Sequence, residues 1–440
     1  MRSTILSSVA ALTFMTSGAL ADGTITIITS FPDSMTGPIE AAFEAANPAY
    51  DLEILNKSTS SGVTFIQEIA GDNTADIFWA SAPDAFEVLK ADGLLSQVSV
   101  SSDGIPEHIG AYPLNDPDGY YYGFAAAGYG IMWNDRYLAA NDLEPATQWA
   151  DLERAEYHGH VGMSAPSRSG TTHLTVETLL QGEGWEEGWA QWKRIAGNFR
   201  TVTERSFGVP DGVNTGNFGL GIVIDFFGFS SRASGFPVDF AYPTTTALVP
   251  ANVGVVTNAP NEEGAIAFID FLLTPEGQSV LFDPAIMRLP INPVTYENAP
   301  DGFPNPFEDS TIGATVAFDV ERSGARYNLV NSMFDVMITY RLDDLREAVG
   351  AIQAAEAVHA ESGNAEAQAL IAEAWELVGA IPIDEAEGLD PEFAGIFTRK
   401  RKQEDDEIGE RQAEIEQRWD AFALGNYTRA TELANQAAAM

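Results

Sequence analysis

Two periodicities of apolar residues divide the first part of the chain into short alternating segments. Residues 24–29 alternate apolar and polar side chains at every second position, which predicts a β-strand. Residues 36–47 place apolar side chains at helical steps and stop at Asn47-Pro48, which predicts a helix ending there. Further strands are predicted at residues 51–55 and 76–79, a polar loop at 58–62, and helices at 63–70 and from 82 to 89. This alternation favours a parallel sheet with helices on both faces.

The same alternation starts again after an aromatic, strand-like stretch at residues 120–134. Strands are predicted at residues 160–163 and 221–225, a loop at 165–170, and a helix from 172 to 181. Residues 238–256 are predicted to lead back to the first sheet. Two crossings between two α/β units indicate two lobes joined by a hinge, and the cleft between such lobes is where a small ligand binds.

The composition changes near Arg322 to alanine, glutamate and leucine, with apolar residues at helical steps. This pattern predicts an all-helical C-terminal extension. The boundaries expected are residues 22–125 and 247–320 for the first α/β lobe, 126–246 for the second lobe, and 321–440 for the extension. Charged residues at 398–407 are predicted to form a solvated helix face, with a docking surface as the alternative.

The first 21 residues have the pattern of a secretory signal peptide. Arg2 precedes an apolar run, and Ala19-Leu20-Ala21 supplies the small residues of a cleavage site. A membrane anchor is the alternative, but the apolar run is interrupted and shorter than the ~20 residues that a spanning helix needs. We therefore expect a mature chain that begins near Asp22 and is located in the periplasm.

Composition narrows the classes of partner and of chemistry. The formal net charge is −41, from 64 acidic and 23 basic residues, and this argues against nucleic acid because its phosphates would be repelled. The chain has no cysteine, which excludes disulfides, thiolate zinc sites and cysteine nucleophiles. The diffuse acidic charge itself is interpreted as a solvated surface.

An arginine and several hydroxyl side chains gather at residues 166–172, between a predicted strand and a predicted helix. Backbone N–H groups and the helix dipole would converge there, and Arg168 could donate two parallel hydrogen bonds to a phosphate or carboxylate. The alternative is a plain helix N-cap formed by Ser169 or Thr171, with Arg168 in solvent. The candidate ligand-binding residues of this loop are Ser167, Arg168, Ser169, Gly170, Thr171 and Thr172.

The first lobe offers a matching set of hydroxyl groups, because the ends of strands in an open α/β sheet face the ligand crevice. The candidates are Ser30, Ser60, Ser61 and Ser81, with ordinary turn chemistry as the alternative for each. Asp225 either accepts hydrogen bonds from ligand hydroxyls or caps the hinge. Closure of the lobes would then depend on an anionic ligand that bridges them.

No catalytic residue, metal ligand or cofactor is predicted. His158 and His160 are a local pair, but no carboxylate pattern completes a metal site, and a surface turn is the favoured interpretation. Walker, G-x-S-x-G and H-E-x-x-H motifs are absent from the sequence, and no nucleophile–base pair is evident. We therefore predict a binding protein, with a hydrolase as a lower-ranked alternative.

Five stretches resemble the extracellular solute-binding family that includes ferric-iron-binding proteins and the binding proteins for phosphonates, hexose phosphates and phosphoglycerate. They are ADIFW (75–79), DGLL (92–95), YGIMWN (129–134), GFPV (235–238) and IDFLLTPEGQ (269–278). The resemblance implies a type II periplasmic binding protein with two hinge strands, which delivers a solute to the permease of an ABC importer. Residues 335–342 are similar to the phosphoglycerate-transport branch, which implies a phosphorylated organic acid or sugar as ligand.

Two alternatives accompany this resemblance. Ferric-iron members of the family use a neighbouring pair of tyrosines on the second lobe, whereas the corresponding residues 225–229 read DFFGF and offer no phenol oxygen. Iron binding is therefore the second choice of ligand. The other alternative is that the extension docks the loaded protein onto a membrane sensor kinase.

Overall fold

The computed structural model describes residues 23–109, 112–308, 312, 316–360, 363–397 and 409–440. The predicted signal peptide and the charged block at 398–407 lie outside the described residues. The strands are β1 (Gly23–Thr29), β2 (Tyr50–Asn56), β3 (Ile77–Ala80), β4 (His108–Ile109), β5 (Tyr112–Pro113), β6 (Tyr122–Asn134), β7 (Val161–Ser164), β8 (Phe199–Thr203), β9 (Leu220–Ile224), β10 (Val238–Ala241), β11 (Leu248–Val255) and β12 (Leu289–Pro290).

Helices fill most of the connections between strands and most of the C-terminal region described. They are α1 (Asp33–Ala46), α2 (Thr59–Ile69), α3 (Pro83–Ala91), α4 (Asp135–Ala140), α5 (Gly170–Glu183), α6 (Trp185–Ala196), α7 (Gly208–Thr215), α8 (Asp225–Ala233), α9 (Glu262–Leu273), α10 (Pro275–Ser279), α11 (Val320–Ala325), α12 (Tyr327–Phe334), α13 (Leu342–His359), α14 (Ala365–Gly379), α15 (Glu385–Gly388), α16 (Pro391–Ala394) and α17 (Glu410–Ala438). A π-helical turn, Asp335–Thr339, joins α12 to the chain before α13.

One mixed sheet runs through both lobes in the order β2-β1-β3-β11-β6-β9-β7-β8, and β10 and β12 also pair with β6. The β1 strand is parallel to β2 and β3, and β7 is parallel to β8 and β9. The long strand β6 pairs with β11 through its first half and with β9 through its second half. It therefore passes from the first lobe into the second, and the predicted two-lobe α/β fold with a helical extension is confirmed.

Three helix starts differ from the sequence prediction, and side-chain capping explains two of them. Residues 59–62, predicted as loop, form the first turn of α2, because the Ser58 side chain accepts a hydrogen bond from Ser61 N–H. The α5 helix begins at Gly170 with Ser169 as its N-cap, two residues before the predicted start. Asp225, predicted to end a strand, is the first residue of α8.

The extension shares a hydrophobic core with the second lobe. Trp185, Trp189 and Trp192 lie on the buried face of α6 and are at most 1% exposed, and they belong to the same apolar cluster as residues of α12, α13, α14 and α17. The Trp185 indole N–H donates to the Ile383 carbonyl at 3.2 Å. The extension packs on this face together with α5, whose Val176 carbonyl accepts a hydrogen bond from the Trp192 indole N–H at 3.2 Å, and it therefore completes the second lobe instead of forming a separate unit.

A buried polar cluster connects the extension to both lobes. Asp84 on α3 of the first lobe lies 3.1 Å from His173 Nε2 on α5 of the second lobe. Ser323 on α11 donates to the same Asp84 carboxylate at 3.1 Å, and the other ring nitrogen of His173 lies 2.8 Å from Asn331 Oδ1 on α12. The extension therefore contacts the lobes at a point where they meet.

Among the described residues no single helix is both long and apolar enough to cross a membrane, although the pair Glu262–Leu273 and Pro275–Phe282, bent by 61°, passes that test together. Phe268 and Ile269 of α9 are completely buried in the core of the first lobe.

Candidate functional site

A cavity of about 350 Å³ lies between the lobes at the ends of β2 and β8. Its first-lobe lining comes from the start of α2, and its second-lobe lining comes from the turn before α5 and the residues after β8. The lining side chains are Lys57, Ser58, Ser60, Ser61, Ser167, Arg168, Glu204 and Arg205. Three cations, four hydroxyls and one carboxylate thus meet at one point of a chain whose formal net charge is −41.

The first-lobe wall is built by the end of β2 and the N-terminus of α2. Lys57 N–H donates to the Thr29 carbonyl at 2.9 Å, which ties the loop to the end of β1. The Lys57 ammonium lies 4.4 Å from the centroid of the Phe65 ring, and no carboxylate pairs with it among the described residues. Since the serines at 58–61 also surround a helix N-terminus, this wall presents positive charge and hydrogen-bond donors to the cavity.

The second-lobe wall carries the two arginines. Arg168 Nη1 donates to Glu204 Oε1 at 2.7 Å, and the Glu204 side chain is 81% exposed, so an anion in the cavity would compete with a solvated partner. Arg205 Nη2 donates to the neutral side chain of Asn56 at 3.0 Å. Burial lowers the pKa of Arg205, and no carboxylate forms an ion pair with it within the part of the chain that the structure describes.

Direct hydrogen bonds across the cleft show that the lobes are closed on each other. Ser60 Oγ donates to the Ser167 carbonyl at 2.7 Å, and Gly170 N–H donates to Thr59 Oγ1 at 3.2 Å. A side chain at position 170 would collide with the Ala82 methyl group, so glycine permits this approach. The predicted residues Ser60, Ser167 and Gly170 therefore meet at the interface between the lobes.

The other predicted hydroxyl residues have separate surroundings. Ser61 lines the cavity and accepts a hydrogen bond from Ser58 Oγ at 2.8 Å, and the Ser169 side chain caps α5, as the N-cap alternative describes. Thr171 is partly exposed, while the Thr172 hydroxyl bonds Ser164 inside the second lobe. The Ser81 hydroxyl is buried beside the cleft at the end of β3 with no hydrogen-bond partner among the described atoms, and Ser30 is half-buried at the end of β1.

Asp225 lies at the hinge, where three neighbouring groups donate hydrogen bonds to its carboxylate. It accepts hydrogen bonds from Gly128 N–H at 2.7 Å, Tyr242 Oη at 2.8 Å and its own helix at Phe226 N–H. Burial raises its pKa to about 6. Since Gly128 belongs to β6 and Tyr242 follows β10, these contacts are those of the hinge cap, one of the two roles expected for this residue.

Four residues of the cavity lining are not among the ligand-binding residues predicted from the sequence. Ser58 belongs to the predicted polar loop and Lys57 immediately precedes it, but neither is among the predicted ligand residues. Glu204 and Arg205 follow β8, a strand that the apolar pattern does not reveal, because its apolar residues Phe199 and Val202 are three positions apart. Among the described residues, no group of three or more His, Asp or Glu side chains has the arrangement of a metal site.

The sequence matches the family model described as bacterial extracellular solute-binding protein over residues 72–305, which is more than half of the chain. The phosphoglycerate transport regulatory protein of Salmonella typhimurium is 29% identical over 381 residues, which cover 86% of this chain and 90% of that protein. Iron uptake protein A1 of Synechocystis is 25% identical over 221 residues, which cover 46% of this chain and 59% of that protein.

Solved structures share the fold at low sequence identity. The periplasmic binding protein AfuA from Actinobacillus pleuropneumoniae, with fructose-6-phosphate bound, aligns with a TM-score of 0.64 and 20% identity over 71% of this chain and 98% of that chain. The apo ferric ion-binding protein A of Pasteurella haemolytica aligns with a TM-score of 0.56 and 13% identity over 71% of this chain and 96% of that chain. Almost all of each structure is covered, whereas more than a quarter of this chain extends beyond them.

Proposed function

The chain belongs to the bacterial extracellular solute-binding proteins, the capture components of ABC importers, and we propose that its solute is a small phosphorylated metabolite bound in the cavity between the lobes. The protein would deliver this solute from the periplasm to the importer's permease. The proteins it resembles are binding, uptake and transport proteins rather than enzymes, and we propose that this chain likewise binds without catalysis.

The positive charge of the cavity is the observation that supports an anionic solute. Lys57, Arg168 and Arg205 converge there, and only Arg168 has a carboxylate partner among the lining side chains. Arginine and lysine side chains together with a helix N-terminus are the groups that bind phosphate in proteins. In a strongly acidic chain, this local excess of positive charge supports a multiply charged anion as ligand.

The position of the cavity supports a role for the ligand in closure. Lys57 comes from the first lobe, whereas Arg168 and Arg205 come from the second, so closure brings like charges together. A phosphate between them would offset this repulsion, because opposite charges a few ångströms apart attract strongly where solvent is excluded. The relative named for phosphoglycerate transport and the related fold with fructose-6-phosphate bound agree with a phosphorylated solute.

Replacing Arg168 by glutamine should lower the affinity for organophosphates by about 10- to 100-fold, because a charge-assisted hydrogen bond to an anion contributes about 1.5–3 kcal/mol. Calorimetric titration with 3-phosphoglycerate and fructose 6-phosphate measures the change. The matched control is Arg232→Gln, since Arg232 forms a surface ion pair with Asp239 outside the cavity. An Arg168→Gln variant that binds each organophosphate as tightly as the wild type would contradict the proposal.

A membrane sensor is the second candidate partner. It is favoured by one observation, that the similarity to a transport regulatory protein covers 86% of the chain. The buried contacts of Ser323 and Asn331 with the two lobes would couple the extension to closure. A sensor that contacts the extension could thereby distinguish the loaded protein from the empty one.

A further inference from the structure

Arg288 is a buried cation close to the hinge. It immediately precedes β12, which pairs with β6 in the first lobe, and only 1% of the residue is exposed. None of its three guanidinium nitrogens has a hydrogen-bond partner among the described residues. An arginine side chain has five N–H donors, and burying them without acceptors is strongly unfavourable.

Two aromatic rings from opposite lobes cover the guanidinium. Its central carbon lies 4.6 Å from the centroid of Phe31, which follows β1, and 3.8 Å from that of Phe226 on α8. Such contacts stabilise the cation through the electron-rich faces of the rings. They leave the N–H groups at the edge of the planar group, where a carboxylate binds through two parallel hydrogen bonds.

The acidic side chain that attracts Arg288 does not fill this role. Asp225 attracts Arg288 electrostatically, but its oxygens already accept hydrogen bonds from the hinge and from Tyr242. Burial lowers the pKa of Arg288 to about 9, so the guanidinium remains charged at neutral pH. Tyr129, whose hydroxyl interacts electrostatically with Arg288, is also completely buried with no hydrogen-bond partner within the described part of the chain.

Arg288 is connected to the outer cavity by a short series of contacts. Arg205, which lines that cavity, donates to the Asn56 side chain at 3.0 Å. The Asn56 amide in turn donates to the carbonyl of Phe31, whose ring contacts Arg288. Asn56 and Phe31 lie at the ends of the adjacent strands β2 and β1, which are spaced about 5 Å apart. Arg288 and the outer cavity are therefore linked through residues at neighbouring strand ends.

We propose that Arg288 is an inner anion site that binds the carboxylate of a phosphorylated carboxylic acid whose phosphate occupies the outer cavity. The inference rests on the proposed function and narrows the class of solute to compounds with two anionic groups. A simple sugar phosphate has only one, its phosphate. Phe31 and Phe226, from opposite lobes, both contact the guanidinium in this closed arrangement, so the carboxylate would be bound in the closed form.

The test compares 3-phosphoglycerate with glycerol 3-phosphate, which has the same phosphate and carbon chain but no carboxylate. The wild-type protein should bind 3-phosphoglycerate at least about tenfold more tightly. Arg288→Met should reduce the affinity for 3-phosphoglycerate by about 10- to 100-fold and change that for glycerol 3-phosphate by less than about threefold. Arg232→Met, at the surface, is the control and should change neither affinity.

Thermal unfolding of the ligand-free Arg288→Met variant shows whether a lower affinity comes from a lost contact with the ligand or from a damaged fold. Methionine removes an uncompensated buried charge, so Arg288→Met should unfold at or above the wild-type temperature. Equal wild-type affinities for the two compounds would overturn the inner site even if no variant folds, and so would an equal loss of both affinities in Arg288→Met. Wild-type protein that binds neither compound, nor any other organophosphate, would instead overturn the proposed function itself.

Discussion

Replacing Arg326 by methionine is expected to lower the free energy of unfolding by about 3–5 kcal/mol, because it leaves a buried carboxylate without its counter-charge. Arg326 donates to both carboxylate oxygens of Glu177, at 2.8 and 2.9 Å, and both side chains are completely buried. A further nitrogen of Arg326 reaches Glu385 at 3.1 Å, and its guanidinium lies 4.6 Å from a ring of Trp185. Glu177 is on α5, so this ion pair holds the extension against the helix that begins at the candidate site.

Urea-induced unfolding of the free protein at pH 7 measures the loss. The double variant Glu177→Met/Arg326→Met should recover most of it, because replacing both partners of a buried ion pair by apolar residues is often neutral or stabilising. Arg429→Met is the matched control: its surface ion pair with Glu432 is solvated, and its loss should cost less than about 1 kcal/mol. A single Arg326→Met variant with wild-type stability would show that the pair does not hold the extension.

Deleting residues 320–440 is expected to prevent the second lobe from folding. Each tryptophan of α6 buries about 150–250 Å². At about 25 cal/mol per Å², three such side chains account for roughly 11–19 kcal/mol of burial. Even half of this free energy of burial is comparable with the stability of a whole folded domain, which is about 5–15 kcal/mol. Trp185, Trp189 and Trp192 would lose the cover of α12 to α17.

The truncated protein should be recovered mainly in the insoluble fraction, or as a collapsed chain without a near-ultraviolet circular dichroism signal or a cooperative thermal transition. The full-length protein, purified in parallel, is the control. If the truncated protein melts cooperatively and binds organophosphates with unchanged affinity, the extension is an independent domain and the shared core is not required.

The fold was largely accessible from the sequence because strands and helices alternate with clear periodicities. The apolar residues of β1 and the helical spacing in α1 identify both elements, and the aromatic stretch at 120–134 contains the hinge strand β6. The short strand β8 was not identified, since its Arg200, Thr201 and Thr203 interrupt the apolar pattern. Because β8 is not predicted, Arg205, which follows this strand, is not recognised as a candidate either.

Only part of the candidate site could be predicted from the sequence, because contacts between residues that are distant in sequence decide which polar side chains meet. The loop at 166–172 combines an arginine with hydroxyls at a helix start, and two of the residues that this local pattern predicts, Ser167 and Arg168, line the cavity. Arg288 has no local signal, since it stands alone between Met287 and Leu289. Its environment is created by Phe31 and Phe226, which are distant in sequence and come together only in the folded protein.

Calorimetric titration of the purified wild-type protein tests the central claim most directly. The panel contains 3-phosphoglycerate, fructose 6-phosphate, inorganic phosphate, a neutral sugar and ferric citrate. We expect one organophosphate to bind at a single site per chain, with an affinity that falls as salt is added because charges dominate the contact. Binding of ferric ion alone, or of the neutral sugar alone, would contradict the claim that the cavity between the lobes captures a phosphorylated solute.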